Sequence, residues 1–241
     1  MQKSVKVLAK QKTMTQQANV KTQANLSLDA IKEAHELSEN PDKLREYYDK
    51  WANAYDTDVT NEKYSGPEYI AHYLMSLHQK QQQKELKEDD KKIEILDAGC
   101  GTGLVGEVLK QLGYPHVDGF DISNQMVERA DKTGAYRALK GEIDMSKKID
   151  AYKDNQYDAT VCCGVFTHGH VPPAALSELF RITKPGGLVV VSTRKSYYEN
   201  TDFKAVCDRV QQEGEAKLVH SVMEGPYIAE EGAHYWAFEV C

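Results

Sequence analysis

Short apolar runs alternate with helical patterns from residue 92 onward, and this alternation constrains the fold more than any other feature. Strands that alternate with helices form a mostly parallel, doubly wound α/β sheet with helices on both faces. The last two apolar runs have no helix between them, which predicts an antiparallel hairpin at the sheet edge. Seven strands are predicted, at residues 93–97, 117–120, 136–143, 157–163, 187–193, 217–224 and 234–240. Helices are predicted between them, at residues 105–112, 123–131, 172–182 and 203–213.

The first 92 residues have a different organisation. Residues 1–25 contain five lysines and no acidic residue, which predicts a disordered polar tail. Residues 26–92 are predicted to be helices and a charged linker that form a lid on the substrate side. Pro41 follows a capping Asn40, and Pro67 follows a Ser-Gly turn, so each proline marks a helix start. Residues 93–241 are predicted to form the ligand-binding domain.

Composition excludes several classes of protein. A net charge of −7 over 241 residues argues against a nucleic-acid partner. No apolar run reaches the roughly 18 residues of a membrane span, and the start lacks a secretory signal. A start rich in lysine, glutamine and threonine resembles a mitochondrial presequence, but no arginine precedes Arg45. Five irregularly spaced cysteines favour a reducing compartment, so we expect a cytoplasmic monomer or homodimer without membrane contact or metal.

A glycine-rich turn joins the first predicted strand to the first helix of the sheet. It reads Asp97-Ala-Gly99-Cys100-Gly101-Thr-Gly103, with glycine at every second position. Ligands of open α/β sheets bind at the carboxyl ends of strands, and glycines let them approach the backbone. A tight turn alone needs one or two glycines, so this spacing predicts a ligand-binding loop.

The position of Asp97 separates two classes of ligand. Residues 101–106 also match G-x-G-x-x-G, the fingerprint of dinucleotide-binding loops. A carboxylate beside the loop would repel a pyrophosphate, but it would attract an ammonium group. S-adenosylmethionine (SAM) has an amino group, a sulfonium and no phosphate. We therefore expect Asp97 to attract the amino group, while N–H groups of the loop bind the carboxylate of SAM.

Further positions extend the predicted cofactor site. Asp121 ends the second strand, where a carboxylate accepts both ribose hydroxyl hydrogens, and NAD would be bound in the same way. Ile122 and Met126 could cover the adenine face, although core packing also explains Met126. Glu142 could accept the adenine amino hydrogen and the N–H of Ile143 could donate to the ring, although an exposed glutamate is the simpler interpretation.

These motifs resemble those of class I SAM-dependent methyltransferases. The resemblance rests on residues 97–103, on Asp121, on residues 157–159 before the fourth strand and on residues 181–187 before the fifth, in the family's order. Residues 48–56, 64–67, 171–173 and 192–194 are similar to the Williams–Beuren syndrome region methyltransferase-like group, whose substrates are poorly defined. The resemblance implies a Rossmann-like methyltransferase fold from about residue 47 to the end.

The resemblance also assigns cofactor contacts to this chain. They fall at Asp97, Gly99, Gly101, Asp121, Ile122, Glu142, Ile143, Cys163, Gly164 and Val165. Tyr55 is expected by similarity to contact the methionine part of SAM, whereas packing of its helix on the sheet also explains it. Cys100 and Met126 complete the predicted cofactor site.

Predicted substrate groups lie beyond the fourth and fifth strands. His168 is the candidate general base because its reference pKa of about 6.5 suits that role, and a bond to the backbone is the alternative. Substrate contacts are predicted at Tyr64, Phe166, Arg194 and Tyr198. Arg194 suits bidentate binding of a carboxylate, although a solvent-exposed arginine is equally consistent with the sequence.

Together these expectations describe an enzyme that methylates an oxygen, nitrogen or sulfur atom of a small molecule and releases S-adenosylhomocysteine (SAH). No Asn/Asp-Pro-Pro-Tyr/Phe motif follows the fourth strand, which argues against methylation of DNA or glutamine. Two other classes stay open. One is a SAM-binding regulatory partner without catalysis, and the other is an NAD-dependent oxidoreductase.

Overall fold

The structure, a computed structural model, describes residues 26–37 and 40–241. The predicted polar tail, residues 1–25, lies outside the described residues. The strands are β1 (Ile95–Ala98), β2 (Val117–Phe120), β3 (Ala138–Lys140), β4 (Tyr157–Phe166), β5 (Thr183–Arg194), β6 (Ala216–Gly225) and β7 (Ala233–Val240). The helices are α1 (residues 26–36), α2 (Pro41–Asn61), α3 (Gly66–Gln82), α4 (Leu104–Gln111), α5 (Asn124–Lys132), α6 (Leu176–Ile182), α7 (Lys195–Asn200) and α8 (Phe203–Gln212).

All seven strands belong to one sheet, in the order β3-β2-β1-β4-β5-β7-β6. The first five strands pair in parallel, whereas β7 pairs antiparallel with β5 and with β6. The predicted doubly wound sheet and its C-terminal antiparallel hairpin are therefore confirmed. The strand order reverses between β1 and β4, and such a reversal opens a crevice at the carboxyl ends of the strands.

The element bounds differ from the prediction where tertiary contacts intervene. β3 is shorter than predicted because the chain leaves the sheet at Glu142, which adopts a φ of +58°. β4 continues to Phe166, with a register shift after Cys162 as it pairs with β5. The predicted helix at residues 172–182 is divided into a 3₁₀ turn, Pro173–Ala175, and α6. The short helix α7 was not predicted.

Apolar side chains cover both faces of the sheet. β1 is buried along its whole length, as expected for a central parallel strand with helices on each side. Phe166, Phe203 and Phe238 pack on one face, and Ile70 and Leu74 of α3 pack on the other. None of the described helices is both long and apolar enough to cross a membrane.

Helix α2 lies over the loops that follow β1 and β2. It begins where predicted, because the Asn40 side chain accepts a hydrogen bond from the Lys43 N–H. Asp49 of α2 accepts a hydrogen bond from the Ser123 hydroxyl at 2.6 Å, and Asp56 accepts one from the Thr102 hydroxyl at 2.6 Å. Since both hydroxyls belong to the loops after the strands, α2 covers the carboxyl ends of the sheet.

A buried carboxylate joins four strands at the opposite, amino-terminal end of the sheet. Asp118 of β2 accepts two hydrogen bonds from the Arg137 guanidinium, at 2.9 and 2.7 Å, and one from the Tyr157 hydroxyl at 2.9 Å. Arg137 also pairs with Glu94, which precedes β1. A fork of this kind is stronger than an exposed ion pair because its geometry is fixed and its acceptor is buried.

We expect Asp118→Ala to lower the free energy of unfolding by about 2–4 kcal/mol, because it leaves the Tyr157 hydroxyl without its acceptor and leaves Arg137 paired with Glu94 alone. The matched control is Asp208→Ala, which removes an exposed pair with Lys204 on α8. That control should cost no more than about 0.5 kcal/mol. Urea denaturation measures both values. Equal losses in the two variants would show that the buried Asp118 cluster stabilises the fold no more than an exposed ion pair does.

Candidate active site

A cavity lies between α2 and the carboxyl ends of β1, β2 and β4 with the loops that follow them. Ten of the predicted cofactor residues line it, namely Tyr55, Gly99, Gly101, Asp121, Ile122, Met126, Ile143, Cys163, Gly164 and Val165. The fold thus brings together residues that lie more than a hundred positions apart in the sequence, at the edge where the strand order predicted a ligand.

The glycine loop turns back toward β2 at the floor of this cavity. Gly101 has a φ of +53°, and no heavy atom lies within 4 Å of the position that a Cβ would occupy there. Its N–H donates to Oδ2 of Asp121 at 2.9 Å. The backbone at Gly101 therefore faces open space, which a side chain would fill.

Asp97 lies behind the loop, outside the residues that line the cavity. It is completely buried, and Oδ2 accepts a hydrogen bond from the Tyr136 hydroxyl at 2.7 Å. Oδ1 is buried and accepts no hydrogen bond from any described residue. Burial raises the pKa of Asp97 to about 7. A buried carboxylate oxygen without a donor is costly, so this oxygen suits a cationic group that approaches from the ligand side.

Tyr136 explains the third glycine of the G-x-G-x-x-G match. Its hydroxyl accepts the Gly106 N–H at 3.1 Å while donating to Asp97. A Cβ at Gly106 would collide with the Tyr136 ring, so the glycine makes room for this tyrosine. Sequence analysis missed Tyr136 because a single sequence does not show which ring faces which glycine.

Asp121 joins the loop after β1 to the loop after β2. Oδ2 accepts the Gly101 N–H and Oδ1 accepts the Ser123 N–H, each at 2.9 Å. Burial raises the pKa of Asp121 to about 6, and the backbone hydrogen bonds partly offset that increase. Its carboxylate lines the cavity, at the position where ribose binding was predicted.

The segment after β3 places a different carboxylate in the cavity from the one predicted. Glu142 is exposed and does not line the cavity, whereas Asp144 lines it. Oδ1 of Asp144 accepts the Ser146 N–H at 2.9 Å, and Oδ2 pairs with Lys147 at 2.9 Å. The Ile143 N–H, predicted as a donor to adenine, already donates to the Asp121 carbonyl at 3.1 Å. Cys100 belongs to the glycine loop, but its side chain is buried and does not line the cavity.

A second cavity adjoins the first. It is lined mainly by aromatic side chains, from α1, α2 and the ends of β4, β5 and β6. The two cavities share Tyr48, Tyr55, Gly164 and His170. A Cβ at Gly164 would lie 2.8 Å from the Tyr64 hydroxyl and 3.3 Å from the Tyr227 hydroxyl. Two hydroxyl groups therefore converge where the cavities meet.

The predicted substrate residues separate into two groups. Tyr64 and Arg194 line the second cavity, with Arg194 only 7% exposed. Phe166 instead packs on Phe203 in the core, and Tyr198 packs on Trp236, so neither lines either cavity. Local geometry keeps both residues out of the cavities. The Phe166 side chain points into the apolar layer against Phe203, and α7 directs Tyr198 toward Trp236 of β7.

His170, rather than His168, reaches both cavities. His168 lines a separate surface cleft and stacks edge-on against Tyr197. Nδ1 of His170 lies 2.9 Å from the His168 carbonyl oxygen, and Nε2 lies 2.7 Å from the Tyr48 hydroxyl. A carbonyl can only accept, so Nδ1 carries the proton and Nε2 of the neutral ring accepts from Tyr48. Burial lowers the pKa of His170 to about 4, which keeps the ring neutral.

This strand order, with two buried acids at a glycine loop, defines the class I methyltransferase architecture. Residues 68–239 match the methyltransferase domain family. Human methyltransferase-like protein 27 is 32% identical over 188 residues, which cover 76% of this chain and 72% of that protein. Malonyl-[acyl-carrier protein] O-methyltransferase of Pectobacterium atrosepticum is 31% identical over 162 residues, covering 65% of this chain and 56% of that enzyme.

Solved structures show the same fold. Magnesium protoporphyrin IX methyltransferase from Synechocystis, crystallised with SAH, has a TM-score of 0.59 and 16% identity, and the match covers 83% of this chain and 99% of that one. The chain therefore belongs to the methyltransferase domain family. It is a SAM-dependent methyltransferase, which confirms the predicted family and cofactor.

The chemistry of the site fits SAM. The unpartnered oxygen of Asp97 leaves an uncompensated acid directly behind the glycine loop, which favours a cationic ligand over a pyrophosphate. The described residues that line the first cavity include no lysine or arginine, and such residues commonly bind phosphate groups. Residues 101–106 match the dinucleotide fingerprint, but the described lining of this cavity offers no cation that would bind the phosphates.

We expect Asp97→Asn to stabilise the cofactor-free protein more strongly near pH 8 than near pH 5.5. The pKa of Asp97 is raised by folding, so its contribution to stability is lost as pH rises toward 7. Asparagine does not titrate, and the gain should grow by about 2 kcal/mol between the two pH values. Thermal unfolding measures this difference, with the exposed Glu142→Gln as control. A gain in stability that is the same at both pH values would show that folding does not raise the pKa of Asp97.

Proposed function

We propose that this methyltransferase transfers the methyl group of SAM to an oxygen atom of a small-molecule acceptor in the second cavity. One observation carries the proposal: the cofactor cavity and the aromatic cavity meet at Gly164, where an acceptor could face the cofactor. The curated relative named above as a malonyl-[acyl-carrier protein] O-methyltransferase supports oxygen as the methylated atom. This chain spans about half the length of that relative, so acceptor identity is not carried over from it.

In this proposal the first cavity holds the cofactor. Asp97 attracts its amino group, backbone N–H groups of the glycine loop bind its carboxylate, and Asp121 accepts the ribose hydroxyl hydrogens. Ile122 and Met126 cover the adenine ring. Asp144, which lines the cavity, takes the adenine-binding role that sequence analysis gave to Glu142.

The bound cofactor supplies a methyl group activated by a sulfonium. The protein must align the acceptor with that methyl group and exclude water, and alignment alone can remove about 7–11 kcal/mol of a barrier. Helices α1 and α2 exclude water from above, since the Tyr47 hydroxyl donates to the Ala30 carbonyl and holds the two helices together. In this proposal α1 and α2 form the cover, whereas α3 packs on a face of the sheet and residues 83–92 line neither cavity.

Tyr48 and His170 are the groups at the junction that can move a proton. The neutral His170 ring accepts from the Tyr48 hydroxyl, and the Tyr48 oxygen retains lone pairs toward the cavities. An acceptor hydroxyl becomes strongly acidic as its oxygen gains the methyl group, so it could then pass its proton to Tyr48 while Tyr48 passes its own to the weakly basic His170. We propose this pair as the proton acceptor in place of His168.

Calorimetry with SAH tests the cofactor assignments. Asp121→Asn should weaken SAH binding by about 10–100-fold, because hydrogen bonds from the ribose to a carboxylate are lost. Glu142→Gln is the matched control and should change the affinity by less than about twofold. Binding of NAD with an affinity equal to that of SAH would contradict the assignment of the loop.

Turnover distinguishes an enzyme from a regulatory SAM-binding protein. Incubation with SAM and a panel of hydroxyl- and carboxyl-bearing metabolites should release SAH with at least one acceptor. We expect His170→Gln to lower kcat by about 100-fold for a hydroxyl acceptor while SAH affinity is retained. Tight SAH binding without turnover on the whole panel would favour the regulatory class.

A further inference from the structure

The second cavity has one fully charged side chain. Its described lining consists of tyrosine, tryptophan, histidine, apolar residues and Thr167, with Arg194 and without any aspartate or glutamate. Arg194 is almost completely buried at the end of β5. Its guanidinium carbon lies 5.7 Å from the centre of the Tyr227 ring, whose hydroxyl is near Gly164. The cation therefore lies close to the junction with the cofactor cavity.

Carboxylates use only part of the hydrogen-bonding capacity of the Arg194 guanidinium. Glu231 and Glu230 approach a single nitrogen, Nη1, at 3.3 and 4.0 Å, so among the described residues neither Nη2 nor Nε has a carboxylate partner. Both glutamates lie outside the lining of the cavity. The field of Arg194 also acts across the cavity, since after burial it is the next cause that lowers the pKa of His35 to about 3.

Two tyrosine hydroxyls of the lining are placed to donate hydrogen bonds to an anion. Tyr64 and Tyr227 bring two hydroxyls to the junction, and burial raises the pKa of Tyr227 to about 12. Both hydroxyls therefore keep their protons at neutral pH. A single buried guanidinium with two hydroxyl donors matches a carboxylate, whereas a phosphate dianion would require further cations.

We propose, on the basis of the proposed function, that the methyl acceptor carries a carboxylate that binds to Arg194, attached to an aromatic or apolar body that packs among Trp51, Tyr55 and Ile228. Arg194 is a substrate-binding residue that selects anionic acceptors. The tyrosine and tryptophan side chains of this cavity bind the uncharged part of the molecule. An amine acceptor is excluded by the same cation.

Matched ligands that differ only in charge test this selection. The probes are benzoate and 2-naphthoate, each with its neutral amide, and benzylamine, titrated into the full chain saturated with SAH. Each carboxylate should bind at least about tenfold more tightly than its amide, because a charge-assisted bond to a buried guanidinium is gained. Equal binding of acid and amide, stronger binding of benzylamine, or no binding of any probe would overturn the proposal.

Variants of two residues should shift the preference in opposite directions. Arg194→Gln should abolish the preference for acid over amide, while Arg194→Lys should retain part of it because the charge is kept. Glu231→Gln removes the nearer of the two competing carboxylates at Nη1 and should tighten carboxylate binding by about threefold. SAH affinity reports folding of every variant, since neither residue lines the cofactor cavity.

The outcomes separate this proposal from the proposed function. A wild-type chain that binds SAH but shows no preference for carboxylates would overturn only the role of Arg194. Absence of SAH binding would overturn the proposed function itself. An acid preference that survives Arg194→Gln would mean that carboxylates bind elsewhere, and it would also overturn the assignment to Arg194.

Discussion

The carboxylate of Asp121 is the contact on which the rest of the site depends. Its two oxygens accept N–H groups from the loop after β1 and from the loop after β2, so one side chain sets the spacing of both loops. Both loops in turn carry the hydroxyls, on Thr102 and Ser123, that bind α2. The cavity and its cover are consequently aligned by a chain of hydrogen bonds that begins at one buried acid.

The cofactor site contains two acidic side chains whose burial is unfavourable. Asp97 and Asp121 are both held in surroundings that raise their pKa values, and Asp97 has an oxygen without a donor. Such groups destabilise a fold unless a ligand satisfies them. A cationic amino group and ribose hydroxyls would do so, so binding of the cofactor would offset the cost of burying these two acids.

The two cavities have opposite electrostatic character, and this difference suits a transfer reaction between them. The cofactor cavity has acids and no lysine or arginine among its described lining residues, so it favours a cationic sulfonium. The adjoining cavity has Arg194 and no acids among its described lining residues. A cationic donor and an anionic acceptor would each bind in the cavity that matches its charge, and they would meet beside Gly164, where the Tyr64 and Tyr227 hydroxyls leave no room for a side chain.

Local sequence determined much of this protein. Periodicity located every strand of the sheet, Asn40 and Ser123 marked helix starts that the structure confirms, and the glycine loop with Asp97 indicated SAM. Those signals are local because strands, caps and turns depend on neighbouring residues. Tertiary structure alone decided that Tyr136 supports Asp97, that Asp144 rather than Glu142 reaches the cavity, and that His170 rather than His168 lies at the junction. These outcomes depend on the direction of each side chain after a turn, and a rotation of one residue is enough to move a side chain from a cavity into solvent or the core.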